Sequence, residues 1–436
     1  MEQGARSGLV RTIGRWSLAA LMVNSIIGSG IFGLPSIVSR QVGPAAPIAW
    51  LLAGAFNAII MGCFAEVASR FNQTGGPYLY ARAAFGRFMG IWMGWLAWLV
   101  RLASAAASAN VFIIYLAEFW GGAKDFLPRL LLLSALIGVI AVVNYRGVKL
   151  GTQVSNVFTA AKLLPLAVFI IGGGLFLLSH HRPVEIGLGH PGATWMQTML
   201  LLVFAYGGFE GALMPMGEAK DPRRDAPFAL LAGLLTCTVI YTLVQVVVMG
   251  VLPDPTQGDR PLAAAAHFFL GNAGAAFITA GALVAIFGYE ASMMLNVPRL
   301  TFALAERGDF PPIFGAVHRK FRTPYVSIVV FGVLVWALAL WGSFQWNAIL
   351  SAVARLFYYA VVCAALPVLR RRQPGESAFS LPGGPGLAVL GVGLCLALVA
   401  AIQRSAFIIL AVIAIVALLN WLWASRRRAS TPDTSA

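Results

Sequence analysis

The residues of this chain that could do chemistry fall at two glycine breaks and at a few charges inside apolar stretches. Gly28, Gly30 and Gly33 interrupt the run Ala20-Leu-Met-Val-Asn-Ser-Ile-Ile-Gly-Ser-Gly-Ile-Phe-Gly33 near its middle. Gly207, Gly208 and Gly211 do the same to Leu200-Leu-Leu-Val-Phe-Ala-Tyr-Gly-Gly-Phe-Glu-Gly211. A helix broken in an apolar medium exposes N–H groups where its second half starts and carbonyls where its first half ends. The N–H end carries a positive dipole and suits an anion, so the carbonyl end suits a cation. The N–H groups of Ser29, Gly30 and Ile31 would therefore take a carboxylate. The carbonyls of Val23 to Ile27 and of Phe204 to Gly207 would take an ammonium. Irregular backbone in lipid is tolerated only where it lines a cavity or is buried in protein, and two such breaks at matching places in two halves point to the substrate site of a secondary transporter. The candidate binding set is Ile26, Ile27, Gly28, Ser29, Gly30, Ile31, Phe204, Ala205, Tyr206 and Gly207.

Three ionisable residues accompany that set. Lys162 lies about ten residues into its apolar stretch, too deep for easy snorkelling, and a lysine in a membrane interior is a functional-site hypothesis by default. Glu210 sits at the second break, either as a proton carrier or as the partner of a buried base, Arg101 or Arg355. Glu290 could pair with Lys162, join a proton path or face a cavity wall. Other chemistry is excluded by missing residues. Gly28-Ser29-Gly30 has no His and Asp placed to make it a nucleophile elbow. The run Gly207 to Gly211 lacks the Gly-Lys-Ser/Thr ending of a phosphate loop. The five histidines, His180, His181, His190, His267 and His318, avoid the span centres, and His180, His181 and His190 read as exposed loop residues. No enzyme, cofactor or metal site is expected.

The elements that must position these residues are membrane helices. Hydrophobic residues make up 59% of the 436, charged residues 11%, and the mean hydropathy is +0.81, whereas a soluble domain carries about 25% charged residues. About twelve stretches reach the ~20 apolar residues a helical span requires, with no appended soluble domain. The net charge of +15 is distributed as a topology signal and not as a nucleic-acid surface. Arg6, Arg11, Arg15, Arg70, Arg82, Arg87, Lys220, Arg223, Arg224, Arg307, Arg319, Lys320, Arg322, Arg370 to Arg372 and Arg426 to Arg428 fall on one set of alternating loops and tails. Arg40, Lys124, Arg129, Arg182, Arg260 and Arg404 fall on the other. The positive-inside rule places both termini in the cytoplasm. The first apolar run is too long for a cleavable signal peptide and continues into a membrane helix. Cys63, Cys237, Cys363 and Cys395 fall inside spans without metal-type spacing and read as packing residues.

The expected organisation is a cytoplasmic N-terminus (1–15), a first repeat of five spans (16–178), a second (195–369), two peripheral spans (384–424) and a cytoplasmic tail (425–436). An odd number of spans per repeat inverts the second repeat in the membrane. Residues 71–86 read as a turn-rich connection, and the Ala-rich part of 254–271 as a short helix against the bundle.

Four motifs carry a resemblance: Ile26-Ile-Gly-Ser-Gly-Ile-Phe32; Gly75-Gly-Pro-Tyr-Leu-Tyr80 with Phe85-Gly86; Phe204-Ala-Tyr-Gly-Gly-Phe-Glu210 leading to Gly217-Glu-Ala-Lys-Asp-Pro-Arg-Arg224; and Pro298-Arg-Leu-Thr-Phe-Ala-Leu-Ala-Glu-Arg-Gly308 leading to Thr323-Pro324. In this order they resemble the amino acid–polyamine–organocation transporters, and among them bacterial amino-acid permeases related to cationic and L-type transporters. The resemblance covers residues from about 16 to 324. It implies an all-α membrane protein with the leucine-transporter-like 5+5 inverted repeat, discontinuous first and sixth spans, and alternating access. It implies that Phe204 matches an aromatic that covers the substrate. It implies that the Lys162 ammonium, after Asn156-Val-Phe-Thr-Ala-Ala161, stands where sodium-coupled relatives bind sodium, and that Glu210 matches a carboxylate of proton-sensing antiporters. The expected activity is sodium-independent, proton-coupled or exchange transport of an amino acid across a bacterial-type inner membrane. Polyamine transport is the alternative within the class; a membrane enzyme or non-transporting sensor is a further one. The partners are the small-molecule substrate and the lipid bilayer, with possible proton coupling; the sequence leaves the oligomeric state open.

Overall fold

Glycine and proline divide this chain into helices. The computed structural model describes residues 14–71, 76–147, 152–188, 194–213, 219–375, 377–400 and 404–429, without the side chains of 152–161, 404–407 and 427–429. Arg6, Arg11, Gly75, His190, Gly217, Glu218 and the end of the basic tail lie outside the described residues, as do the side chains of the motif that precedes Lys162.

The first half holds α1 (Arg15–Ile26), α2 (Gly30–Gly33), α3 (Pro35–Val42), α4 (Ala46–Ala68), α5 (Gly76–Phe85), α6 (Arg87–Leu116), α7 (Phe126–Tyr145) and α8 (Thr152–Ser179). The second half holds α9 (Trp195–Tyr206), α10 (Phe209–Ala212), α11 (Pro222–Val251), α12 (Pro261–Glu306), α13 (Tyr325–Trp341) and α14 (Phe344–Arg372), followed by α15 (Gly384–Val399) and α16 (Arg404–Ala429). Among the described residues, eight helical segments are long and apolar enough to cross a membrane, and α13 and α15 are shorter apolar helices. Among the described residues the fold is all-helical, as the sequence predicts.

α6 is the central post. Ala103, Ala105, Ala106, Ala107 and Ala109 are fully buried on it, and such small side chains allow close helix approach where lipid supplies no hydrophobic drive. α14 and α12 pack on α6, and α11 packs on α4 and α1. Some pairings in the two halves match. α11 meets α8 as α14 meets α4, and α13 meets α6 as α12 meets α7. The two broken segments run antiparallel, since α1 touches α10 while α2 touches α9.

Three segments differ from the sequence reading. Residues 76–85 are helical; the Gly-Gly-Pro turn chemistry is spent on the helix entrance, with Pro77 in the first turn where its missing N–H costs nothing. α11 starts at Pro222, several residues before its apolar run, because Pro222 and the acidic Asp225 make a good first turn. The Ala-rich helix that starts at Pro261 continues into the next span, and Gly271, at φ 66°, bends the two apart.

The end of the bundle that carries most of the arginines is tied by two ionic knots. Glu66, fully buried, accepts from Arg370 Nε at 2.7 Å and Nη2 at 2.6 Å, from Arg70 Nη2 at 3.1 Å and from the Leu381 N–H at 2.8 Å. Asp309, also fully buried, accepts from Arg82 and Arg87, both at 2.8 Å, and from the Tyr78 hydroxyl. Burial and the Asp309 carboxylate raise the Tyr78 phenol above its ordinary pKa. At the opposite end Arg40 donates to the Thr256 carbonyl at 2.8 Å, and Lys124 pairs with Asp259 at 2.7 Å.

Candidate functional site

The first break begins where α1 ends at Ile26 and Ile27 turns extended (φ −70°, ψ 98°). α2 then starts at Gly30, so the N–H groups of Gly30 and Ile31 have no intrahelical partner, while that of Phe32 donates to the Ser29 carbonyl at 3.2 Å. Gly30 sits at a close approach: a β-carbon there would lie 3.0 Å from Ala205 Cα. Ser29 Oγ is 2.8 Å from Ser108 Oγ. Lys162, 5% exposed, reaches in from α8 and donates to the carbonyls of Asn24 and Ile27, each at 3.1 Å. Its Nζ also lies 6.0 Å from the centre of the Tyr289 ring. A charged donor shared by two carbonyls of an unwound turn fixes that turn's shape, since charge-assisted bonds are the strong ones.

The second break is closed differently. α9 ends at Tyr206, Gly207 is extended, and Gly208 is left-handed at φ 113°, a conformation that favours glycine. A β-carbon on Gly208 would overlap the Ser25 carbonyl, so the second break is seated directly on the first. Glu210 folds back to accept from the Gly208 N–H at 2.9 Å and pairs with Arg355 Nε at 3.1 Å. Arg355, from α14, also donates to the Phe204 carbonyl and to Ser104 Oγ, each at 3.3 Å. Tyr241, from α11, joins the two breaks: its hydroxyl lies 3.0 Å from the Ile26 carbonyl and 3.1 Å from that of Ala205.

Between the breaks lies a small cavity of about 20 Å³. Ser25, Ile26, Gly28, Ser29 and Gly30 line it from the first break, and Phe204, Ala205 and Gly207 from the second. Ser104 and Ser108 on α6, Tyr289 on α12 and Arg355 on α14 close it.

The sequence-derived candidates separate on this geometry. Seven of the binding set line the cavity. Ile27 serves it through the carbonyl that holds Lys162. Ile31 and Tyr206 are fully buried outside the lining, and the Tyr206 hydroxyl donates to the Trp50 carbonyl at 2.8 Å. Several of the carbonyls expected to receive an ammonium already accept bonds from Lys162, Tyr241 or Arg355. Glu210 has Arg355 as its partner, while Arg101 lies within ordinary contact distance of the position a Gly211 β-carbon would take. Glu290 is 5% exposed, its Oε1 has no hydrogen-bond partner, and among the described ion pairs it is not joined to Lys162. The sequence reading missed Ser104, Ser108, Tyr241 and Tyr289. Ser104 and Ser108, four apart, share one face of a helix, and that spacing was the available signal.

Residues 13–424 match the family model described as amino acid permease. The chain belongs to that family. It is a multi-pass membrane protein of a transporter family, not of an enzyme family. It is 27% identical to a methylthioribose transporter of Bacillus subtilis over 412 residues, covering 90% of this chain and 89% of the relative. It is 29% identical to a serine/threonine exchanger of the same organism, covering 88% and 90%. It is 27% identical to a branched-chain amino acid permease, again of Bacillus subtilis, covering 90% and 88%.

Proposed function

We propose that the chain carries L-amino acids across a cell membrane by alternating access, without sodium, in the cavity between the two breaks. The observation that carries the proposal is the placement of Lys162: its ammonium bonds to the Asn24 and Ile27 carbonyls of the unwound turn. A fixed positive charge there leaves a sodium ion no electrostatic reason to bind, since like charges repel. The first-turn N–H groups of α2 receive the substrate carboxylate. The ammonium is received by the carbonyls of Ile26 and Ala205, because a carbonyl oxygen has two lone pairs and one remains after the bond from Tyr241. The names of two relatives, a serine/threonine exchanger and a branched-chain amino acid permease, support an amino acid as substrate.

Coupling rests on protons or exchange. Both Glu210 oxygens are engaged, by Arg355 and by the Gly208 N–H, which favours a positioning role. Glu290, with an oxygen lacking any partner, is the better proton carrier. The symmetric helix pairings and antiparallel breaks support the 5+5 inverted repeat over 16–178 and 195–369, and the basic end supports cytoplasmic termini in a bacterial-type inner membrane. The polyamine alternative is disfavoured by Arg355 on the cavity wall and Lys162 beside it.

Amino-acid uptake into proteoliposomes tests the reading. Uptake should persist when sodium is replaced by choline and should respond to an imposed pH gradient or to amino acid inside the vesicle. Uptake strictly dependent on sodium would overturn the role given to Lys162, and an unchanged pH profile in Glu290→Gln would remove that residue from coupling.

A further inference from the structure

We propose that the cavity selects small amino acids whose side chain ends in an oxygen, and that Arg355 with Ser104 reads that oxygen. The proposal rests on the transport reading above and names the substrate class of the same site.

The wall facing the side chain is polar. Arg355 is 4% exposed and lines the cavity. A guanidinium has five N–H donors. Among the described residues Arg355 uses Nε on Glu210, one N–H of Nη1 on the Phe204 carbonyl and one of Nη2 on Ser104 Oγ. One N–H on each terminal nitrogen is left. Buried donors without acceptors are costly, and a planar fork of two N–H groups matches an oxygen-bearing group such as a carboxylate or amide. Ser104 is itself held by Ser351 at 2.7 Å and Ser108 by Ser29 at 2.8 Å. Each hydroxyl can turn to donate or accept, so the same wall serves a substrate hydroxyl.

The remaining walls limit size and charge. Phe204 is fixed edge-on against Phe344, with ring centres 6.0 Å apart. The position of a Gly207 β-carbon is already occupied by the Arg355 guanidinium. A branched apolar side chain would press against the guanidinium and strand its donors. A basic side chain would add a cation beside Arg355 and Lys162, against the single paired carboxylate of Glu210.

Isosteric pairs test this directly on the purified full-length protein. Ligands that bind the native state raise its melting temperature with concentration, so titrations yield dissociation constants for asparagine against leucine and for threonine against valine. The oxygen-bearing member of each pair should bind at least tenfold tighter, and lysine should not bind. Tighter binding of leucine and valine would overturn the oxygen readout while leaving amino-acid transport standing; binding by none of the amino acids would overturn both. Aspartate against asparagine shows whether the fork takes a charge or a dipole, and the proposal requires one of the two to bind. Arg355→Lys breaks the Glu210 pair and risks the fold, so Ser104→Ala is the second variant. It should narrow the asparagine/leucine ratio several-fold, and an unaltered ratio would overturn the assignment.

Discussion

The two glycine breaks solve one problem, how to leave helical backbone in an apolar bundle, in opposite ways. The first holds Ile27 in ordinary extended geometry, and its open shape is kept by the ammonium of a distant helix. The second uses a left-handed glycine, and Glu210 closes the new helix start on itself while neutralising Arg355. The start of α2 therefore leaves the Gly30 and Ile31 N–H groups without a helical partner, whereas the start of α10 has given one to its own side chain. Two stretches that read alike as Gly-rich interruptions differ in what they leave unsatisfied.

The strongest attack on the contrast is Gly208→Val. It combines a disfavoured φ with overlap on the Ser25 carbonyl, so folded protein recovered from membranes should fall sharply and transport should vanish; wild-type yield and uptake would sink the claim that the breaks are seated on each other. Glu210→Gln comes next. It leaves a buried guanidinium without its counter-charge, and breaking a buried pair costs about 3–5 kcal/mol. A large fall in melting temperature is expected, with the sodium independence of residual uptake intact. Lys162→Ala strikes the first break, where losing a hydrogen-bonded charge costs about 1.5–3 kcal/mol. It should cut uptake more than it lowers stability, and the reverse ranking would show that the lysine only props the fold. The mildest probe is Gly28→Ala. Its β-carbon would find only ordinary contacts, 3.9 Å from the Ile26 carbonyl oxygen and 4.0 Å from Tyr289. The melting temperature should hold while KM rises a few-fold, because the methyl group enters the cavity.

Sequence alone gave access to whatever is local. Gly28 to Gly30 and Gly207 to Gly208 announce broken helices through backbone chemistry, and Lys162 stands out because apolar neighbours flank it. Long apolar runs fixed the helical class for the same reason. Tertiary partners were not legible. Nothing near Tyr241 in the chain says that its hydroxyl will bridge two breaks, and nothing near Glu210 chooses Arg355 over Arg101. The helix at 76–85 was hidden because Gly and Pro signal a turn and a helix entrance with the same residues. The continuity of α12 through Gly271 was hidden because a bend and a loop look alike when flanked by alanine.

The two ionic knots at the arginine-rich end differ in what they join. Asp309 follows α12 and binds the α5–α6 corner. Glu66 ends α4, whereas Arg370 ends α14 and Leu381 precedes α15. If that end is to open between α4 and α14, a carboxylate with no solvent exposure must either travel with its arginines or be abandoned by them. Arg370 is the accessible member, with 28% of its side chain exposed, so ions in solution reach the clasp from that side only. Added salt would reach both knots, through Arg370 at the Glu66 clasp and through Arg82, 34% exposed, at the Asp309 corner.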